Sequence, residues 1–155
     1  MTGAPLHFDE FLTGRTFSSG PRRISRGDID AFTSLSGDHT ALHSDDAYAA
    51  STPLGGIVAH GALVLAAATG LAHSLGIFEG TVLAVRSMHV AFDRPVRPDE
   101  SVSLELTVAE PAPRPRPDRG RIRFEVKLRN GAGETVMSGS WTLLIRRRAD
   151  SQDPI

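Results

Sequence analysis

Gly61-Ala62-Leu63-Val64-Leu65-Ala66-Ala67-Ala68-Thr69-Gly70-Leu71-Ala72 decides the fold. The stretch carries no charge and offers no polar face. A helix that is apolar all round is expected to be buried all round. One central helix is therefore expected from about Ala59 to Ser74, ending near Gly76, too short to cross a bilayer. Downstream the period changes from helical to two. Arg121–Arg129 alternates strictly, with Ile122, Phe124, Val126 and Leu128 on one side and charges on the other. Ser101–Val108 alternates likewise through Val102, Leu104, Leu106 and Val108. Thr81–Phe92 is a valine-rich run in which period two puts Arg86 with Met88, and His89 with Val85 and Ala91. Pro95–Glu100 reads as a turn, Pro111–Arg119 as a flexible excursion between strands. Asn130-Gly131 marks a hairpin into a return strand over Thr135–Ile145. Helices segregated from antiparallel strands give an α+β fold, one long helix wrapped by one curved sheet.

Upstream of the central helix, Leu6–Arg23 is irregular, with a short strand near Arg15–Ser18. Ser25 is placed as an N-cap, with Asp28 three residues on completing a capping box. Ile29, Phe32 and Leu35 give that helix one apolar face, and Gly37 ends it. A further short helix is expected over Asp45–Ala50. The chain of 155 residues, 40% hydrophobic, fits a single domain over 1–155, with a core over about 6–146 and a frayed tail over 147–155. A net charge of −1 argues against general nucleic-acid binding. The absence of cysteine excludes disulfides, thiolate metal sites and a cysteine nucleophile, and fits a reducing cytoplasm. Met1–Phe8 lacks a basic start followed by an apolar run, so neither secretion nor a membrane anchor is expected.

Two segments carry chemistry. The first is Asp38-His39-Thr40-Ala41-Leu42-His43, in a polar connection between helices. Long connections in compact domains are often functional. A carboxylate and an imidazole side by side make a tunable acid/base pair, although Asp and His are also ordinary in a solvated loop. The second is Ile57-Val58-Ala59-His60-Gly61, at the start of the apolar helix. A helix that begins at glycine presents free N–H groups to which a ligand oxygen can come close. His60 is either ligand-facing or packed beneath the helix start.

Together, at this spacing, the two segments resemble the MaoC-like family, which includes (R)-specific enoyl-CoA hydratases. The family pattern is Asp-x-Asn-Pro-(Leu/Ile)-His followed by Ile-(Ala/Val)-His-Gly. Phe32-x-x-Leu35-Ser36-Gly37 and Phe92-x-x-Pro95-Val96-x-Pro98-x-Glu100 also look like family sequence. The resemblance runs from about Leu6 to Ile145. It implies a hotdog fold, a homodimer with sites near its interface, and hydration or dehydration of an acyl thioester. It further implies that Asp38 and His43 handle the water, that the Gly61 amide polarises the thioester carbonyl, and that Thr69 stands where the family has a serine. Thr40 and His60 would border the substrate; Arg94 and Arg97, in the turn after the long strand, would either meet phosphates of its carrier or stand solvated. That carrier would be coenzyme A or an acyl carrier protein, with no metal or redox cofactor. Thr40-Ala41 replaces the family's Asn-Pro, which leaves open an isomerisation or cyclisation, or a non-catalytic partner subunit. A hotdog thioesterase is disfavoured, because no Asp or Glu lies in Gly61–Ser74.

Overall fold

Two capping devices fix the first helix. In the computed structural model, which describes residues 3–111 and 116–148, α1 spans Arg26–Ser36. The Ser25 side chain accepts from the Asp28 N–H, and the Asp28 carboxylate accepts from the Ser25 N–H. Gly37 closes the helix in the left-handed conformation, which costs glycine little. Two short helices follow, α2 over Ala41–Ser44 and α3 over Asp46–Ser51, and then α4 over Gly61–Ser74.

Among the described residues six strands form one antiparallel sheet: β1 (Thr16–Ser18), β2 (Arg22–Arg23), β3 (Val82–Phe92), β4 (Ser101–Pro111), β5 (Arg119–Asn130) and β6 (Thr135–Arg146). Their order is β1-β4-β5-β6-β3, and β2 pairs with β4 beside β1. The expected alternation holds along β5. Ile122, Phe124, Val126 and Leu128 are buried, while Arg121, Arg123, Glu125 and Lys127 face out. The inner faces of β4, β5 and β6 share one apolar cluster with Leu63, Val64, Ala67, Ala68 and Leu71 of α4. Burying a side chain such as Phe124 contributes roughly 1.5–3 kcal/mol. Glycine is required at Gly139 on β6, where a side chain would collide with the His89 backbone carbonyl of β3.

Several expectations need correction. α4 is not buried on every side: Ala62, Ala66, Thr69, Gly70 and His73 are exposed. Its apolar character therefore exceeds what this sheet alone covers. β3 departs from strict period two, because the pairing with β6 shifts between Val85 and Ser87. Val85 and Met88 consequently line one cavity together, and Val85 does not share a face with His89 in the way simple alternation implies. The β5–β6 hairpin turns through four residues, with Gly133 in the left-handed conformation and Asn130 accepting from the Ala132 and Glu134 N–H groups. At the start of the expected tail, Arg147 and Arg148 pair with Asp9 and Glu10, and the Arg147 N–H donates to the Asp118 carbonyl. The excursion expected over Pro111–Arg119 is strand at both ends, and its middle, 112–115, lies outside the described residues, as does 149–155.

Candidate active site

The polar connection is held at both ends. After Gly37 the chain turns at Asp38, whose Oδ1 accepts from the Thr40 hydroxyl at 2.6 Å and from the Thr40 N–H at 3.1 Å. These two bonds, the hydroxyl's first, hold the Asp38 carboxyl below the ordinary carboxylate range. Both fall on one oxygen, so Oδ2 stays open among the described residues. Thr40 thus supports the aspartate directly. Ala41 is the first residue of α2, and Leu42 anchors the segment by packing against the core.

His43 sits in α2, half-buried. Its Nδ1 lies 2.7 Å from the Val58 carbonyl oxygen. A carbonyl can only accept, so Nδ1 carries a proton, and in the neutral ring the lone pair is then on Nε2. This fixes both the tautomer and the ring orientation.

His60 is the N-cap of α4 and is 2% exposed. Its ring lies 3.9 Å from that of His43, centre to centre and nearly parallel at 29°, and 5.0 Å from the ring of Phe32. Nε2 is 3.1 Å from the Asp38 carbonyl oxygen and 3.5 Å from the Thr33 hydroxyl. One polar atom from each of Asp38, His43 and His60 lies within 4.8 Å of the others. Among the described residues this is the one group whose donors are close enough to hold a metal ion. Two of its imidazole nitrogens are already engaged by backbone carbonyls; His43 Nε2, Asp38 Oδ2 and the buried His60 Nδ1 are not, and of these only the first two lie on residues that are not fully buried.

Beside this trio α4 begins. The Gly61 N–H belongs to the first helical turn, whose amides lack acceptors within the helix. A cavity of about 240 Å³ borders Gly61, Phe92, Arg94 and Pro95. A β-carbon at Gly61 would come within 2.9 Å of the Phe92 ring, so glycine keeps this approach open. Arg94 lies on the cavity wall and pairs with Glu134 at 3.6 Å. Arg97 is used differently: its guanidinium donates to the Leu54 carbonyl, and its N–H to Glu100. Thr69 is not brought to the trio within this chain. Its hydroxyl donates to the Ala66 carbonyl at 2.7 Å, and it lines a second cavity, of about 220 Å³, with Met88, Trp141 and Leu143. Sequence reasoning missed the Val58 carbonyl, Thr33 and the ring of Phe92. The first is backbone, which no residue type signals. Thr33 reads as an ordinary helix position, and Phe92 enters the sequence reading only as part of a pattern that looks like family sequence.

A family model described as the MaoC like domain matches residues 5–127. The chain belongs to the MaoC-like domain family. Protein MaoC of Klebsiella aerogenes is 33% identical over 102 residues, which is 65% of this chain but only 30% of that protein. A 3-hydroxybutyryl-CoA dehydratase of Methylorubrum extorquens is 26% identical over 150 residues, covering 97% of this MaoC-like chain and 90% of its own length. Among solved structures, the monoamine oxidase regulatory protein from Archaeoglobus fulgius superposes with a TM-score of 0.85 at 28% identity, covering 96% of this chain and 99% of its own. The R-hydratase PhaJ1 from Pseudomonas aeruginosa does so with a TM-score of 0.76 at 26% identity, covering 97% and 96%. The helix cupped by an antiparallel sheet is the hotdog architecture of these relatives. Among the described residues no helix is long and apolar enough to cross a membrane.

Proposed function

We propose that this MaoC-like domain is a lyase that adds water to 2-enoyl thioesters and, in reverse, dehydrates 3-hydroxyacyl thioesters. The observation that carries the reading is the meeting of Asp38, His43 and the start of α4 at one end of the central helix. Hydration places the water oxygen on Cβ and a proton on Cα. His43 Nε2 and Asp38 Oδ2 are the two open polar atoms suited to hold the water, take its proton and return one to carbon. They act as a coupled pair. The Gly61 N–H, in the first turn of α4, stabilises the oxygen of the enolate that forms between the two steps. No step calls for a metal or redox group.

The carrier is best read as coenzyme A, since one relative of nearly full-length coverage is a dehydratase of a CoA thioester. Arg94, on the wall of the Gly61 cavity and paired with exposed Glu134, is the better candidate to meet carrier phosphates, since the Arg97 guanidinium already donates to the Leu54 carbonyl. A homodimer fits the surface. The edge strand β3 exposes Val85 and Phe92, and α4 exposes Ala62, Ala66, Thr69 and Gly70. A second copy along β3 would cover both and close over the Thr69 cavity. The lack of cysteine supports a cytoplasmic place of action.

The test is direct. The purified protein is mixed with 2-enoyl-CoA thioesters of several chain lengths, and loss of the conjugated-enone absorbance is followed. Turnover with formation of a 3-hydroxyacyl thioester is expected. No turnover on any chain length would exclude the simple hydratase and favour a specialised intermediate or a subunit that needs a different partner.

A further inference from the structure

We propose that His60 is a positioning residue that pins the Asp38 backbone and backs the His43 ring without touching substrate; this rests on the hydratase reading of the same site. At 2% exposure the ring is out of reach of a ligand. Its Nε2 faces the Asp38 carbonyl oxygen at 3.1 Å, so Nε2 is the donor and carries the ring proton. Its Nδ1 is buried with no hydrogen-bond partner. A proton there would be a buried donor with nothing to accept it.

A side chain that only filled space would not need these nitrogens. Leucine would fill the space against the Phe32 and His43 rings and leave no orphaned Nδ1. What leucine lacks is the N–H to Asp38. That bond links the exposed loop to the core, because His60 is held between Phe32 on α1 and His43 on α2. It is also the residue just before Gly61. One ring therefore sets three parts of the site in register: the backbone that carries the Asp38 carboxylate, the face of His43, and the first amides of α4. Its work is geometric, so its loss should act on kcat more than on KM.

Two variants separate this role from simple packing. His60→Leu keeps an apolar filling and removes the donor. His60→Gln restores an N–H at the reach of Nε2 but has no ring and cannot act as an acid or base. Misplacing a reacting group by about 1 Å can cost ~100-fold. His60→Leu should therefore lower kcat by about 100-fold with KM changed less than about threefold, and it should speed amide exchange at His39 and Thr40. His60→Gln should recover kcat to within about tenfold of wild type and restore the slower exchange. Unchanged kcat and exchange in His60→Leu would overturn the proposal. A His60→Gln variant as inactive as His43→Gln would overturn it too, by making His60 a reacting group. If the wild type itself turns over no thioester, the hydratase reading fails separately, and the exchange comparison still decides whether His60 pins Asp38.

Discussion

Asp38–Ser44 and Ile57–Gly61 lie ring against ring at His43 and His60, yet they are built in opposite ways. In the first segment Asp38, His39, Thr40 and Ser44 are exposed and only Ala41, Leu42 and His43 are partly covered. In the second, Ile57, Val58, Ala59 and His60 are all buried. The exposed segment bears the groups that can move protons. The buried one supplies the Val58 carbonyl, a packed ring and a helix start that hold them. Reactivity and rigidity are thus divided between two short pieces of chain, and a substitution should show which piece it belongs to by what it damages.

Ile57→Ala should break the buried side. Truncating a buried isoleucine costs about 2–5 kcal/mol, to be read from urea unfolding, while protein that remains folded keeps its chemistry. An Ile57→Ala variant of normal stability would undo the contrast. Gly61→Ala tests the border between the two. The added methyl meets the outer edge of the Phe92 ring, which is 52% exposed in the single chain. Stability should change by less than about 1 kcal/mol, whereas kcat/KM should fall about tenfold, a transition-state loss of roughly 1.4 kcal/mol.

Thr40→Val sharpens the exposed side. The Asp38 carboxyl is held below its ordinary range, chiefly by the Thr40 hydroxyl. A depressed folded value means that the carboxylate's contribution is present above the unfolded value and lost as pH falls through the folded one. Removing the hydroxyl should raise the folded value and move the acid limb of the kcat/KM profile to higher pH. An acid limb that stays in place would mean another group sets it. The smallest effect is expected for Ala41→Pro. Ala41 is the first residue of α2, and Thr40 before it is extended at φ −53° and ψ 128°, a conformation that tolerates a following proline. The gain should be about 0.4–1 kcal/mol, seen as a small rise in Tm with activity kept. A loss of stability would show that the loop is tighter than its exposure suggests.

The contrast also explains what was legible in the sequence. Ser25, Asp28 and Gly37 mark α1 because caps are local and depend on residue type. The strands β4 and β5 are legible because one face is core and the other is water. Asp38 and His43 could be picked out by motif. The exposed stripe of α4 was not legible, since alanine and glycine look alike whether they are covered by the core or left outside it. The register shift in β3 was hidden because strict alternation puts Val82 and Val90 on one face and Val85 on the other, and no residue type marks the slip that brings Val82 and Val85 into one cavity. The tasks of His43 Nδ1 and Arg97 were hidden for one reason, that both partners are backbone carbonyls. Such pairings come from tertiary folding and leave no mark in residue type.

The most direct measurement is kcat on a 2-enoyl-CoA thioester for wild type, Asp38→Asn and His43→Gln, with Tm taken on the same samples. Losing a general acid or base typically costs 10²–10⁴-fold, so each variant should lose about that much kcat while Tm moves by only a few degrees. Wild-type turnover that survives either substitution in folded protein would contradict the assignment of the site.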